Sequence, residues 1–272
     1  MGDGSNVTYT VDGPLGIVQL SRPEKLNAFT FVMIQEIREA VDRAAADPDV
    51  VAVVITGSGR AFSAGLDTTD LSRSTEGDPA GRSNPDPDDE ELPALFSFLL
   101  RVGKPVIAAV NGVAAGGGLV LAMASDLRFA SESASFTTAF SKRGLIAEHL
   151  TSWLLPRIVG TSRALDLLWS ARRFDADEAY RIGFVDRIVP GEQLIDEVRA
   201  YVSELAATVS PRSMAVMKAQ VYGDWARSVR EAALAGNEQV NASLDHPDAK
   251  EGVVSFLERR PPRFQPWTGG PS

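Results

Sequence analysis

The chain has 272 residues, 44% of them hydrophobic and 23% charged, a balance that supports a folded domain with a substantial core. A net charge of −9 does not supply the basic face that nucleic acid requires. With no cysteine there are no disulfides, thiol nucleophiles or zinc–thiolate sites, and two isolated histidines offer no metal cluster, so no metal is expected.

The opening "MGDGSNVTYTVDG" is polar and acidic and does not read as a signal peptide. No uncharged apolar stretch is long enough to span a bilayer, so the expectation is a cytoplasmic protein with no membrane partner. Residues 7–20 alternate around Asp12-Gly13-Pro14, which predicts a hairpin. "TFVMIQEIREAVDRAAAD" (30–47) carries Ile34, Ile37 and Val41 at helical spacing. "VAVVITGSG" (51–59), "KPVIAAVNG" (104–112) and "SDLRFAS" (125–131) read as buried parallel strands. Between the last two, "GGGLVLAMA" (116–124) predicts a glycine-started, buried helix. Residues 76–91, rich in Pro, Gly, Ser and acid, read as a solvated loop, with a lid beside a pocket as the alternative. A helix is expected over 150–158, and from residue 194 the pattern is helical only. Strand and helix alternate through the first two-thirds, so the class is α/β.

Two segments share a form, an apolar strand running into small residues: "ITGSGRAFSAGLD" (55–67) and "AVNGVAAGGGLVLA" (109–122). Glycines there let the backbone turn sharply and let N–H groups converge on one oxygen as an oxyanion hole. Taken alone, each segment favours tight helix–sheet packing, which needs small residues for no chemical reason. A dinucleotide fingerprint starting at Gly57-x-Gly59 fails at Phe62, where the third glycine is required. "AFSAG" resembles a nucleophile elbow around Ser63, and the order Ser63, Asp126, His149 suits a hydrolase triad. Ala61 nevertheless stands at the elbow's first glycine position.

Six pieces in order resemble the crotonase (enoyl-CoA hydratase/isomerase) superfamily. They are "RPEKLNAFT" (22–30), "GRAFSAGLD" (59–67), "KPVIAAVNGVAAGGGLVLAMASDLRFAS" (104–131), "RGLIAEHLTSWLLPRIVG" (143–160), "RRFDADEAYRIGFVDRIVP" (172–190) and "SPRSMAVMKAQ" (210–220). The resemblance implies a crotonase-like spiral of ββα turns over 1–193 and a C-terminal helical oligomerisation region over 194–272. It implies a homotrimer, or a hexamer built as a dimer of trimers. It also implies an acyl-CoA thioester substrate, with coenzyme A present as part of that substrate and no separate cofactor. By the same mapping the N–H groups of Leu66 and Gly117 form the oxyanion hole. Lys25, Ala28, Ala64 and Asp67 meet coenzyme A, and Arg263 and Phe264 lie in a tail that reaches a neighbouring subunit's coenzyme A.

The hydratase-type glutamate pair falls at Val120 and Phe140 in this mapping, and neither transfers protons. Glu148 matches a third acid position, used by isomerase-like members. The resemblance therefore implies double-bond isomerisation with Glu148 as sole acid/base, ahead of 2-enoyl-CoA hydration and of a non-catalytic acyl-CoA binding protein. Val120, Phe140 and Trp153 are expected at the acyl pocket, with the core as the safer place for Trp153. Glu148 also suits an ordinary first helical turn. On such a helix His149 would point about 100° away from Glu148, which makes it a structural residue, or a partner supporting the site from behind, rather than a base. His246, in "LDHPDAK", reads as a surface-turn residue.

Overall fold

The computed structural model describes residues 6–75 and 94–267. The loop expected over 76–91 lies outside the described residues.

The predicted hairpin forms from β1 (Val7–Asp12) and β2 (Leu15–Leu20), antiparallel about Gly13 at φ +57. Helix α1 (Phe31–Ala46) follows; Thr30 caps it by accepting from the Met33 N–H. Its inward face is Met33, Ile37, Ala40, Val41 and Ala44, one stripe at helical spacing. Strands β3 (Ala52–Gly57), β5 (Val106–Val110), β7 (Leu127–Ser131) and β10 (Arg187–Val189) continue the sheet beside β2, all parallel. Every residue of β3 and β5 is buried, which is why these runs are apolar throughout rather than alternating.

Each of the three middle turns of the chain adds a second, shorter strand: β4 (Ala61–Ser63), β6 (Val113–Ala115) and β8 (Ser135–Thr137). These pair in parallel as a second sheet, closed by β9 (Phe174–Asp175) running antiparallel. Three helices lie between or beside them: α2 (Thr68–Thr75), α3 (Gly117–Ala124) and α4 (Thr151–Val159). Then come α5 (Thr161–Ser170) and α6 (Ala176–Arg181). The result is a spiral of ββα turns with the main core between the two sheets and the α1 and α3 faces.

The C-terminal run forms α7 (Leu194–Thr208), α8 (Pro211–Asp224), α9 (Val229–Leu244) and α10 (Pro247–Glu258). Helix α7 lays Leu194, Val198 and Val202 on the other face of the large sheet, against Val54, Ile107 and Phe129. Helix α8 is tied to the sheet edge by charge. Lys218 Nζ sits 2.7 Å from Asp126 Oδ2, Tyr222 donates to Oδ1 at 2.9 Å, and the Val106 N–H donates to Oδ2. No helix among the described residues is long and apolar enough to cross a membrane.

Candidate active site

Two loop crossings build the site's first wall. Residues 26–29 lie alongside 64–67: the Ala64 N–H donates to Leu26 O, the Phe29 N–H to Gly65 O, and the Asp67 N–H to Phe29 O. This pairing leaves the intervening Leu66 N–H unused. The buried Asn27 holds the crossing from below, its side-chain amide donating to Ser58 O and Ala61 O. Gly65, at φ +90, meets the second loop so closely that a Cβ would stand 2.6 Å from Ala115 O and 3.0 Å from Gly117 N. Only glycine allows that approach. Gly117 is the first residue of α3, so its N–H has no intrahelical acceptor. Among the described residues neither the Leu66 nor the Gly117 N–H has a hydrogen-bond partner. Both residues line one cavity of about 350 Å³.

The opposite wall is the segment after β8. A tight turn, with the Arg143 and Leu145 N–H groups both donating to Phe140 O, carries Phe140, Arg143 and Leu145 to the cavity. Glu148 and His149 complete it. They are not helical. His149 (φ +51) and Leu150 (φ +64) stand consecutively in the left-handed region, and α4 begins only at Thr151. The separation expected from a helix is thereby removed. His149 Nε2 lies 3.7 Å from Glu148 Oε2, and both side chains face the cavity. Burial raises the Glu148 carboxyl above the usual carboxylate range and lowers the His149 imidazole. The Leu95 N–H points at His149 Nδ1 from 3.5 Å.

The structure brings eight of the expected residues to this one cavity: Lys25, Ala28, Ala64, Leu66, Asp67, Gly117, Phe140 and Glu148. Asp67 is held ionised, its carboxyl pulled below the ordinary range first by the Thr69 backbone N–H and then by Arg22, 3.3 Å away. The N–H of Ala64 is occupied, so a ligand contact there falls to its carbonyl. Leu95, Arg143 and His149 also line the cavity and were not assigned there from sequence. The sequence around His149 has the form of a helix start, whereas the chain there holds two successive non-glycine residues at positive φ.

Neither Val120 nor Trp153 lines the cavity, and for Trp153 this agrees with the core placement preferred from sequence. Val120 is fully buried inside α3, in the core cluster and outside the cavity lining. Trp153 packs against the core and meets Trp225 edge-on at 4.9 Å, with Arg157 over its ring at 4.3 Å. Phe264, expected at a neighbouring subunit's coenzyme A, packs beside Gly252 and lines grooves with Trp267 and with Ser210, outside the cavity that Glu148 lines. The hydrolase alternative also fails on geometry. Ser63 is fully buried, donating to Asn27 O and accepting from the Gly65 N–H, while Asp126 is committed to Lys218 and Tyr222. His246 caps α10, its Nδ1 accepting the Asp248 N–H.

The fold and its paired glycine loops define a crotonase-like α/β protein. The family model for enoyl-CoA hydratase/isomerase matches residues 12–266, and the chain belongs to that family. A relative from Mycobacterium tuberculosis named probable enoyl-CoA hydratase EchA12 is 38% identical over 259 residues, covering 91% of this chain and 88% of its own. One from Rhodobacter capsulatus, named probable enoyl-CoA hydratase, is 36% identical over 259 residues, covering 95% and 97%. The crystal structure of an enoyl-CoA hydratase from Polaromonas sp. JS666 superposes with a TM-score of 0.85 at 27% identity, covering 95% of this chain and 99% of that one.

Proposed function

We propose that this chain acts on an enoyl-CoA thioester by stabilising its enolate, with Glu148 as the acid/base. The observation that carries the reading is one juxtaposition: a desolvated carboxyl shares a cavity with two N–H groups that have no partner among the described residues. A thioester oxygen seated on the Leu66 and Gly117 N–H groups gains stabilisation as negative charge develops on it, about 3 kcal/mol for each such donor. The raised pKa of Glu148 makes it a stronger base than a solvated glutamate. Lys25 and Arg143 place positive charge at the cavity for the phosphates of coenzyme A, and the carbonyl of Ala64 is available to its adenine.

The reaction favoured by the names of the relatives is hydration of a 2-enoyl-CoA. Glu148 takes a proton from water, the water oxygen bonds to C3, and the C2–C3 π electrons move to the thioester oxygen as an enolate. Glu148 then returns the proton to C2. Isomerisation, placed first on the sequence, gains nothing from those names, but one observation still favours it. Of the two carboxylates lining the cavity among the described residues, Asp67 is locked to Arg22 and Thr69, which leaves Glu148 as the free acid of the pair. One carboxylate is sufficient to move a proton from C2 to C4 without water, beside apolar Leu95, Phe140 and Leu145.

One experiment decides between them. Purified chain is given 2-enoyl-CoA and 3-enoyl-CoA in parallel, with products read by mass and ultraviolet absorbance. A gain of one water on the 2-enoyl substrate establishes the hydratase; a 3- to 2-enoyl shift without mass change establishes the isomerase. Tight acyl-CoA binding with neither product, and no effect of Glu148→Gln, would leave a non-catalytic binder.

A further inference from the structure

We infer that His149 is the positioning residue for Glu148, its Nε2–H holding carboxylate oxygen Oε2 so that Oε1 is presented to the substrate. The inference rests on the acid/base role proposed for Glu148. Three observations carry it. First, the imidazole and carboxylate face the same cavity with Nε2 and Oε2 3.7 Å apart. Second, the ring's other nitrogen is directed at a donor, the Leu95 N–H. A neutral imidazole that accepts at Nδ1 carries its proton at Nε2, the atom facing Glu148. Third, the backbone that aims both side chains is strained. His149 and Leu150 hold positive φ in succession without a glycine, a conformation that persists only where the surroundings impose it.

The electrostatics agree with this geometry. Burial keeps the imidazole neutral, so it donates a hydrogen bond without neutralising the base as a cation would. Arg143, on the turn before it, donates to Ala139 O, and Lys25 and Asp67 stand on the opposite wall. Among the described residues, His149 is the group within ion-pair distance of the Glu148 carboxylate. A 3.7 Å separation is too long for a hydrogen bond, and such contacts tighten when substrate excludes water.

The test is the pH profile of kcat and KM for wild type, His149→Leu, His149→Gln, His149→Asn and Glu148→Gln. In His149→Leu, kcat is expected to fall about ten- to a hundredfold, the order seen when a site side chain loses its orienting partner, with KM within about twofold. Its acidic limb should move to higher pH, because a donor that favoured the ionised carboxylate is gone. Glutamine places an amide N–H near the Nε2 position and should restore most of kcat; asparagine reaches only the Nδ1 position and should not. Equal activity of the Gln and Asn variants would overturn the inference even if His149→Leu failed to fold. So would a lowered kcat with an unmoved acidic limb, or wild-type behaviour in His149→Leu. Those results leave Glu148's own role intact so long as Glu148→Gln is inactive; turnover retained in Glu148→Gln would instead remove the acid/base assignment itself.

Discussion

Asp67 and Glu148 line the same cavity and sit in opposite electrostatic settings. Asp67 accepts the Thr69 N–H and pairs with Arg22, which favours its charge; Glu148 has lost water and gained no cation, which opposes its charge. A carboxyl whose folded-state pKa lies above its unfolded value favours folding at low pH, and that contribution is lost as pH rises through the folded value. Glu148→Gln is therefore expected to raise Tm at neutral pH and to lose that advantage near about pH 4, where the unfolded carboxyl is itself protonated. The same variant should lose turnover by about a hundredfold or more. Calorimetry at the two pH values, beside the enoyl-CoA assay, checks both; a Tm difference independent of pH would contradict the desolvated setting of Glu148. The acidic limb of wild-type activity should likewise lie above the ordinary glutamate value.

Between elements, the critical dimension is the gap between two loops. Gly65 lies against Ala115 O and Gly117 N, so Gly65→Ala forces backbone from backbone at a residue whose φ is already +90. The expected loss is about 2 kcal/mol of stability, together with a fall in kcat as the Leu66 and Gly117 N–H groups separate. Gly236 is the contrast: it sits in α9 with nothing within 4 Å of an added Cβ, and Gly236→Ala should gain up to about 1 kcal/mol from helix propensity. Urea denaturation of both variants measures the pair. A second junction is electrostatic. Asp126→Ala leaves Lys218, with a side chain 10% exposed, buried without its counter-charge. A loss of about 3–5 kcal/mol is expected, with α8 loosened from the sheet, seen as faster hydrogen exchange around Lys218.

Over the whole molecule, the C-terminal helices leave large apolar side chains outside. Val229 is 89% exposed, Phe256 82% and Leu257 73%, and no residue of α9 is buried. An apolar surface of this kind calls for a partner. The family resemblance implies further copies of the same chain, which also accounts for a Phe264 that lies outside this chain's own cavity. The chain is expected to sediment as a trimer or a dimer of trimers. The double variant Phe256→Asp, Leu257→Asp is expected to shift it to smaller species at equal concentration. A monomer in the wild-type protein at micromolar concentration would remove the oligomeric expectation and, with it, any role for Phe264 at a neighbour's site.

Much of this was legible along the chain. The hairpin, α1, the apolar parallel strands and the helical character of the C-terminal region follow from periodicity, because burial on one face or on both imposes a repeat that local sequence records. The glycine-rich segments and the order of the six family-like pieces pointed to Leu66, Gly117 and Glu148, and the fold gathers these into one cavity. Spacing alone did not determine direction. Val120 was expected at the acyl pocket and lies in the core instead, while Trp153 takes the core side of its two expected places; a residue number records position along a helix, and the neighbouring elements decide what covers it. His149 is the clearest case. Its sequence neighbours have the form of a helix start, which would separate it from Glu148. Two successive left-handed residues, held by packing that no local pattern encodes, bring imidazole and carboxylate together instead. Sequence by itself determined the family and the strand–helix order, and it singled out Glu148 as the candidate acid. Only the tertiary structure decided which side chain stands beside that acid, because backbone strain and desolvation are set by contacts between segments far apart in the chain.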